Sequence, residues 1–468
     1  MTAPAGIRLW DSATRAKAAL RLPTPDAPLT MYVCGPTVYG RAHIGNARPA
    51  VVFDLLARLI RHLHGRQALV YARNVTDIDD KIMAAAAAEG VGWADIAARY
   101  ERHYVEDMAA LGVAAPDIAP RATDHVAQMI AMIEALEARG IAYAAHGHVL
   151  FSVAADPDYG SLSRRDRAAM LAGARVEVAP FKRDPADFVL WKPSNPDQPG
   201  WDSPWGRGRP GWHIECSAMI ARHLGETIDI HGGGQDLLFP HHENEAAQSR
   251  CAHGGAPLAR IWVHNGFLSM GAEKMSKSLG NVVTPRELID AGWDGEVLRL
   301  ALLSAQYRQP LVWSTALLEE AQARLDRWHR SAGNAAPADA PAPAVVEALA
   351  DDLNTPAALA ALDAVRGDAA VLKASGMLMG LLGRSGEAWA KRRHGMEPDA
   401  IAGDMPMARG AMQPRPPADS DIERAIAARH RARRARDWAA ADAIRAELLA
   451  AGVVLEDRPD GTTDWRRA

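Results

Sequence analysis

The architecture is set by residues 29–76, LTMYVCGPTVYGRAHIGNARPAVVFDLLARLIRHLHGRQALVYARNVT. Residues 29–38 form an apolar run that ends in a Gly-Pro turn, and residues 67–76 form a second apolar run, so both predict buried strands. Residues 47–63 lie between them and repeat apolar side chains at helical spacing. A strand, a helix and a strand in this order predict a βαβ crossover, and with it an α/β fold built on a parallel sheet.

The α/β alternation resumes much later in the chain. Residues 226–234 predict a strand that meets a glycine loop, residues 241–253 predict a helix, and residues 261–270 predict another strand. The stretch 140–210 is rich in Asp, Pro and Trp, which disfavours long helices. We therefore expect one sheet domain in two halves, separated by an insertion.

The last third of the chain, from about residue 285, is mainly helical in pattern. An Ala/Pro-rich stretch, 333–344, and a Pro/Met/Gly-rich stretch, 404–421, predict linkers. Between them, an Ala- and Leu-rich region predicts a helical bundle. After the second linker, residues 421–452 predict two helices.

Composition excludes several classes of protein. Of the 468 residues, 48% are apolar and 24% are charged, as in an ordinary globular chain, and the net charge of −4 excludes a uniformly basic nucleic-acid binder. No apolar run approaches the roughly 18 to 20 residues of a membrane span, and the N-terminus lacks the pattern of a secretory signal. Three cysteines do not make a disulfide framework, so we expect a reducing cytoplasm.

One candidate site is the tetrapeptide His43-Ile44-Gly45-Asn46, between a predicted strand and a predicted helix. The free N–H groups and the dipole at the start of a helix favour phosphate oxygens. His43 adds a donor, and Gly45 lets a nucleotide approach the backbone closely. A capping turn with a surface histidine would give the same pattern, so that alternative stays open here.

Lysine is rare in this chain and supplies only eight of the 53 basic residues. A retained lysine therefore marks a place where a compact ammonium group matters. Lys274 and Lys277 lie three residues apart in the polar segment EKMSKS, after a predicted strand. Mobile ammonium groups on such a loop suit the stabilisation of charge on a transferring phosphate. The alternative is a solvated polar loop.

Cys34, Cys216, His241 and Glu245 make a plausible zinc-binding set. Cys34 ends the first predicted strand, Cys216 lies in WHIECSAM, and the other two residues share a helix face at i, i+4. Because three distant segments contribute, the pattern favours a metal in a cleft over a small structural knuckle. Buried apolar cysteines and an i, i+4 surface pair are the alternatives.

Residues close to this set fit a ligand role less well. His242 and Glu243 should face away from the stripe of the proposed ligands, and Ala246 excludes an HExxH protease motif. Cys251 has no convincing partner and reads as a small apolar residue. For three neighbouring carboxylates we expect capping and salt bridges rather than a second metal: Asp77, Asp79 and Asp80.

Taken together, these segments resemble the cysteinyl-tRNA synthetase family. HIGN and KMSKS resemble the HIGH and KMSKS signatures of class I aminoacyl-tRNA synthetases, in the same order. Other matching segments are MYVCGPTVYGRAHIGNARPAVVFD, NVTDIDDKI, KRDPADFVLWKP, GWHIECSAM, DIHGGGQDLLFPHHENEAAQS and KMSKSLGN. The resemblance covers nearly the whole chain. It departs at Asn46, which keeps a hydrogen-bond donor but loses charge assistance, and at Gly40, where the family often has Asp.

The resemblance implies a ligase that activates L-cysteine with ATP and transfers the cysteinyl group to the 3′ end of tRNA(Cys). It implies one Zn²⁺ held by Cys34, Cys216, His241 and Glu245, with Mg²⁺ accompanying ATP. A zinc-bound thiolate separates cysteine from serine, whose hydroxyl is a poor ligand, so no editing domain is needed.

The resemblance also implies roles for individual residues. The groups on ATP phosphates would be His43, Asn46, Lys274 and Lys277. Glycines that let ATP approach the backbone would be Gly45, Gly232, Gly233 and Gly234. The cysteine pocket would contain Thr76, Trp212 and His231, although core packing is an alternative for Trp212. The C-terminal segment would read the anticodon through Arg429, Arg431, Arg433, Arg434 and Arg436, with Trp438 or Trp465 stacking on a base; a solvated helix face is the alternative.

The expected fold class is a class I synthetase Rossmann-like parallel sheet split by an insertion, followed by a helical bundle and a small anticodon-binding domain. The expected divisions are 1–139 and 211–284 for the catalytic domain, 140–210 for the insertion, 285–332 for a stem-contact region, 345–403 for the bundle and 421–468 for the C-terminal domain. We expect a monomer without membrane association.

Two other functions compete with this interpretation. A cysteine ligase of the mycothiol type uses the same adenylate chemistry on a small amine, but it lacks an anticodon-binding end, so residues 421–468 argue against it. A non-catalytic tRNA-binding descendant would not need intact HIGH-like, KMSKS and ligand residues.

Overall fold

The computed structural model describes residues 6–165, 180–270, 273–274, 282–391, 419–434, 437–450, 453–458 and 463–467. The strands are β1 (Arg8–Asp11), β2 (Ala16–Ala19), β3 (Leu29–Val33), β4 (Leu69–Arg73), β5 (Ala142–Ala145), β6 (His148–Phe151), β7 (Phe188–Pro193), β8 (Gly208–Pro210), β9 (Ile228–Gly234), β10 (Ala259–Asn265), β11 (Leu268–Met270), β12 (Glu273–Lys274), β13 (Leu311–Trp313), β14 (Val453–Asp457) and β15 (Thr463–Arg467). The α-helices are α1 (Ile44–His64), α2 (Asp80–Glu89), α3 (Trp93–Ala110), α4 (Val126–Ala138), α5 (Trp212–His223), α6 (Glu243–Ala252), α7 (Pro285–Asp290), α8 (Gly295–Leu303), α9 (Thr315–Ala332), α10 (Pro343–Ala350), α11 (Thr355–Ala364), α12 (Ala369–Leu378), α13 (Gly386–Ala390), α14 (Asp419–Arg434) and α15 (Trp438–Ala450). Within these ranges, no helix combines the length and the apolar character that a bilayer span requires.

The N-terminal part of the chain is built around a parallel sheet with the strand order β10-β9-β3-β4. Two of its strands precede the insertion and two follow it, so the prediction of one sheet in two halves is confirmed. The carboxyl ends of parallel strands meet at one edge of a sheet, which is where ligands bind in open α/β folds. Cys34, Asn74 and Gly266 follow three of these strand ends directly.

The predicted strands 29–38 and 67–76 are shorter in the structure, because the chain leaves the sheet at Cys34 and Asn74. The predicted helix 47–63 in turn begins earlier, at Ile44. Its first turn is closed by a cap in which the backbone N–H of His43 donates to Asn46 Oδ1 at 3.2 Å. The HIGN tetrapeptide is therefore the N-cap and first turn of α1, not a loop before it.

The insertion contains an antiparallel sheet of its own, with the strand order β5-β6-β7-β8. Its inner face buries aromatic rings: Phe151 and Phe188 stack with centroids 4.8 Å apart, and Trp191 lies 6.0 Å from Trp205. Long helices are absent from the described part of 140–210, as predicted.

The predicted strand 261–270 is two strands in different sheets. β10 belongs to the parallel sheet, whereas β11 pairs with β13 in a small second sheet. The chain turns between them at Gly266, where a Cβ atom would lie 2.5 Å from the carbonyl oxygen of Arg308. Arg48 of α1 is fully buried and donates to the carbonyls of Gly266, Phe267 and Gln309, which ties this crossing to the helix.

The helical region from α7 to α13 packs on the α/β domain through one continuous apolar core. A buried ion pair reinforces this contact: Arg299 Nη2 of α8 lies 2.6 Å from Asp54 Oδ2 of α1. The strand β13 within this region was not predicted, because three residues are too few to show a period.

At the C-terminus, the two predicted helices correspond to α14 and α15, and a hairpin of β14 and β15 follows them. The core of this unit contains Ile422, Ile426, Leu448, Val453, Leu455 and Trp465. The hairpin was not predicted, because charged residues occupy half of its strand positions and interrupt the apolar pattern.

Candidate metal centre and active-site cleft

The two sulfurs of the predicted metal set lie together although 182 residues separate them in the chain. Cys34 directly follows β3, one of the two inner strands of the sheet, and Cys216 lies in α5, which comes just before β9 in the chain. Their Sγ atoms are 3.8 Å apart. Both cysteines are free thiols, since a disulfide bond would require about 2.05 Å.

His241 and Glu245 complete the predicted group. His241 Nε2 lies 2.9 Å from Glu245 Oε1 and 3.7 Å from Cys216 Sγ, and Cys34 Sγ lies 3.5 Å from the same carboxylate. The four ligand atoms are all within 4.8 Å of one another. His241 lies in an irregular turn before α6 rather than within the predicted helix, but the turn keeps it on the side of Glu245.

A second group of ligand atoms shares two members with the first and adds His231 and His242. His242 Nε2 lies 3.9 Å from Glu245 Oε1, so the expectation that His242 faces away is wrong. The reason is that the chain is not a regular helix at this point. Glu243 does face away, because it accepts hydrogen bonds from the backbone N–H groups of Gly160 and Ser163.

Electrostatics in the first group favour the charged forms of three members. Burial opposes ionisation of the Cys216 thiol, but hydrogen bonds with Cys34 and His241 outweigh burial and lower its pKa to about 6. Burial lowers the pKa of His241, yet the Glu245 carboxylate more than reverses this effect and raises it to about 10. The pKa of Glu245 is held well below its usual range by His241 and His231, against the effect of burial. Cys216 and Glu245 are thus held in the anionic form that a cation would bind, whereas His241 would bind a cation only after losing its proton.

Trp212 and His231 surround the group without providing atoms to the first set. His231 is completely buried, and its Nε2 lies 2.8 Å from the second oxygen of Glu245. Trp212 begins α5 and remains 39% exposed, so the alternative of ordinary core packing does not hold for it. The structure thus places the predicted pocket residues His231 and Trp212 directly against the predicted metal ligands Glu245 and His241.

A cleft of about 560 Å³ opens beside Cys34 at the carboxyl edge of the sheet. The predicted residues that line it are Cys34, His43, Gly45, Asn46, Trp212 and Gly234. Sequence reasoning missed several other lining side chains, among them Tyr39, Lys81, Tyr100, Tyr104 and Asp236. The scarcity of lysine is the signal that could have singled out Lys81.

Two of the predicted ATP-site glycines have a different reason to lack a side chain. A Cβ atom on Gly232 would lie 2.2 Å from the ring of Phe53, and one on Gly233 would lie 2.9 Å from the ring of His242. Close packing against these two rings therefore requires glycine at both positions. Of the three glycines of β9, only Gly234 lines the cleft.

Thr76 lies behind the cleft wall rather than on it. It is 2% exposed, and its hydroxyl donates to Glu215 Oε2 at 2.9 Å. Glu215 was not predicted, although it stands next to Cys216 in the sequence. Burial raises the pKa of this carboxyl group well above its usual range.

Comparison with known proteins agrees with this arrangement. A family model described as tRNA synthetases class I (C) catalytic domain matches residues 22–323, and one described as cysteinyl-tRNA ligase anticodon binding domain matches residues 415–466. The cysteine–tRNA ligase of Parvibaculum lavamentivorans is 57% identical over 99% of the chain and 98% of its own length. The cysteine–tRNA ligase of Xanthomonas campestris is 54% identical over 99% and 100%. The chain belongs to the cysteine–tRNA ligase family.

The predicted family and enzyme class are thereby confirmed, and the mycothiol-type alternative is not favoured, since the match includes the anticodon domain. Among solved structures, methionyl-tRNA synthetase of Mycobacterium tuberculosis with methionyl-adenylate aligns with a TM-score of 0.51 at 18% identity, over 75% of this chain and 82% of its own. A leucyl-tRNA synthetase ternary complex from Agrobacterium radiobacter aligns with a TM-score of 0.51 at 12% identity, over 76% and 83%. These two comparisons confirm the fold class.

The KMSKS element lies mostly outside the described residues. Lys274 belongs to the short strand β12, whose backbone pairs with Ser269 of β11, and Lys277 is among the residues that are not described. The expected phosphate contacts of both lysines therefore stay predictions.

Of the three acidic residues after β4, Asp79 and Asp80 serve a cap and salt bridges, as expected, and among the described residues Asp77 makes hydrogen bonds only. Asp77 accepts hydrogen bonds from the backbone and hydroxyl of Thr123. Asp79 caps α2 by accepting from the backbone N–H of Lys81. Asp80 pairs with Lys192 at 2.6 Å and with Arg209 at 3.0 Å.

Among the predicted tRNA-contact residues, the three whose side chains the structure describes, Arg429, Arg431 and Arg433, differ in exposure. Arg429 is only 4% exposed, and its Nη1 donates to Thr463 Oγ1 at 3.4 Å, so the prediction of a tRNA contact does not fit this side chain. Arg431 is exposed and Arg433 is half-buried, whereas the side chain of Arg434 and all of Arg436 lie outside the description. Of the two tryptophans, Trp438 is 59% exposed and Trp465 is buried in the core of the hairpin.

Proposed function

We propose that this chain activates L-cysteine with ATP to cysteinyl-adenylate and transfers the cysteinyl group to the 3′ end of tRNA(Cys), and that zinc selects the substrate by its sulfur. The observation that carries this proposal is the convergence of Cys34, Cys216, His241 and Glu245 at the wall of the cleft. One of the two sulfurs, that of Cys34, belongs to a residue that lines the cleft itself.

The distance between the two sulfurs fits a tetrahedral zinc ion. Two sulfurs at the usual zinc–sulfur distance of about 2.3 Å would lie about 3.8 Å apart. The observed separation of the two sulfurs is 3.8 Å. Two thiolates, an imidazole and a carboxylate also form a donor set that zinc prefers over magnesium or calcium. The second group of ligand atoms contains one sulfur only and fits zinc less well.

Zinc at this site would supply a soft cation that takes a substrate thiolate and not an alcohol. Packing alone would discriminate poorly between cysteine and serine, which differ by one atom of similar shape. Trp212 and His231 would then contact the remainder of the amino acid. Thr76 would support the pocket from behind its wall without touching the substrate.

ATP would occupy the cleft beside the ligand group. His43 and Asn46 stand at the N-terminus of α1, where the helix dipole favours phosphate. Lys274 and Lys277 would add positive charge to the phosphates, and Mg²⁺ would accompany them. Gly45 and Gly234 line the cleft and would let ATP approach the backbone.

The C-terminal unit would read the tRNA. Arg431 and Trp438 are exposed on successive helices and offer a cation and a stacking surface. Arg433, Arg434 and Arg436 would extend this basic surface. We keep the domain limits expected from the sequence, and we keep the expectation of a monomer. The three free cysteines support a location in a reducing cytoplasm.

Replacement of one sulfur tests the proposal. The Cys216→Ser variant should lose zinc and cysteine-dependent ATP–pyrophosphate exchange together, because the soft ligand set is broken. Cys251→Ser is the matched control, since Cys251 is half-buried and lies in neither ligand group. A Cys216→Ser protein that keeps both zinc and exchange activity would overturn the ligand assignment.

A further inference from the structure

The two sulfur-bearing segments are held together by a hydrogen-bonded chain that contains no metal ligand. The backbone N–H of Gly35 donates to Asn74 Oδ1 at 2.8 Å, and Asn74 Nδ2 donates to Thr76 Oγ1 at 3.3 Å. The Thr76 hydroxyl then donates to Glu215 Oε2 at 2.9 Å. We call this series the Asn74–Thr76–Glu215 chain. It begins next to Cys34 and ends next to Cys216.

Each end of the chain fixes the position of one sulfur. A Cβ atom on Gly35 would lie 1.7 Å from the carbonyl oxygen of Asn74, so the segment that carries Cys34 lies directly against the end of β4. Backbone hydrogen bonds between Val38 and Thr76 and between Thr76 and Pro36 continue this contact.

At the other end, Glu215 and Cys216 are consecutive residues of α5, so their side chains point about 100° apart around the helix axis. The hydrogen bond from Thr76 to Glu215 therefore fixes the rotation of α5 about its axis. That rotation decides where Cys216 Sγ lies.

The three side chains of this hydrogen-bonded series are buried. Asn74, Thr76 and Glu215 are 1%, 2% and 1% exposed, and water cannot replace their hydrogen bonds. In the part of the chain that the structure describes, Glu215 forms no salt bridge, so its hydrogen bond with Thr76 is the contact that orients it. Burial of a carboxyl group costs free energy, so we expect an acid to be kept at this position for its hydrogen bond and not only to fill space.

We propose that Asn74 and Glu215 are positioning residues that set the separation of the Cys34 and Cys216 sulfurs through Thr76, and so determine the affinity of the site for zinc and for cysteine. This inference rests on the proposed metal site. It adds two residues that neither bind the metal nor line the cleft.

The test measures zinc affinity by competition with a chelator, together with the KM for cysteine and for ATP. Glu215→Ala should weaken zinc binding by about 10- to 100-fold, the usual effect of removing a residue that orients a ligand. The KM for cysteine should rise, while the KM for ATP stays near its original value. Glu215→Gln keeps the shape and one acceptor oxygen, so it should restore most of the affinity.

Asn74→Asp gives an independent measurement, because it keeps the acceptor for Gly35 and loses the donor to Thr76. It should weaken zinc binding in the same direction as Glu215→Ala. The matched control is Asp187→Ala, which removes another buried acid whose contacts, Tyr143 and Val153, lie in the insertion. This control should lower the midpoint of thermal unfolding and leave zinc affinity unchanged.

The possible results separate this inference from the proposed function. If Glu215→Ala and Asp187→Ala lower thermal stability alike and zinc affinity stays at the original value in both, Glu215 is merely structural and the inference is overturned. If the unaltered protein binds no zinc, the metal proposal fails and takes this inference with it. A loss of affinity in Glu215→Ala that Glu215→Gln recovers supports the inference.

Discussion

The indole ring of Trp212 stacks on the imidazole ring of His241, with the ring centroids 4.1 Å apart and the planes inclined by 17°. One face of the imidazole of His241, a proposed zinc ligand, is thus covered by an aromatic side chain that also lines the cleft. The stack limits the rotation of His241 and forms part of the wall against which a substrate would lie.

Trp212→Ala should therefore raise the KM for cysteine by about two- to twelvefold, which corresponds to the roughly 0.5–1.5 kcal/mol of an aromatic pair. Trp212→Phe should give an intermediate value. Because Trp212 is 39% exposed, the midpoint of thermal unfolding should change little. Trp438→Ala is the control and should leave cysteine activation unaffected. Unchanged KM and zinc content in Trp212→Ala would contradict the role of the stack.

Gly232→Ala tests why β9 ends in glycines. The added methyl group would meet Phe53 at 2.2 Å, so we expect a loss of about 1–3 kcal/mol of stability from overpacking. Phe53→Leu should recover part of this loss when it is combined with Gly232→Ala, as measured by denaturant unfolding. If Gly232 instead served to let adenosine approach the backbone, Gly232→Ala would raise the KM for ATP, and Phe53→Leu would not correct that change.

Asp54 should make a large, pH-dependent contribution to stability. Burial raises the pKa of Asp54, but Arg299 and Arg58 outweigh burial and lower it below its usual value. A carboxyl group with a lowered pKa in the folded state stabilises the protein above the unfolded pKa of about 3.9, and this contribution is lost as pH falls through the folded pKa.

Asp54→Asn leaves Arg299 buried without its counter-charge, so it should cost about 3–5 kcal/mol near neutral pH. The difference from the unaltered protein should shrink on acidification below about pH 4, as followed by urea unfolding at several pH values. Glu387→Gln removes an exposed i, i+4 pair with Lys391 and is the control, for which we expect almost no change. A pH-independent difference for Asp54→Asn would argue against the ion pair as its cause.

The two tryptophans of the C-terminal unit should behave oppositely. Trp438→Ala should lower the efficiency of tRNA charging about tenfold, because stacking on a base is worth about 1–3 kcal/mol, and should spare pyrophosphate exchange. Trp465→Ala should instead destabilise the unit, since this ring is buried among Ile422, Val453 and Leu455.

Deletion of residues 421–468 should reduce charging far more than adenylate formation. An equal loss of both activities would refute a separate tRNA-reading role.

Arg429 shows where sequence patterns mislead. Five arginines within eight residues predicted a basic face, but helical geometry turns Arg429 inward to Thr463 while Arg431 points to solvent. Arg429 is buried because the helix pair packs against the hairpin. The sequence of the hairpin has no clear strand pattern, so this packing could not be predicted. Composition therefore indicated the charge of this region but not which side chains are free to meet a ligand.

The sequence by itself determined the split parallel sheet, the order of its two halves, the HIGN element at the start of a helix and the four residues proposed as zinc ligands. These features depend on local periodicity and on residue chemistry, both of which are visible along the chain. Only the tertiary structure decided that two sulfurs 182 residues apart lie at 3.8 Å, that His242 shares their surroundings and that Asn74 and Glu215 connect the segments behind them. Such contacts arise when strands and helices pack, because the distance between segments depends on the packing of the whole sheet and not on any one stretch of chain.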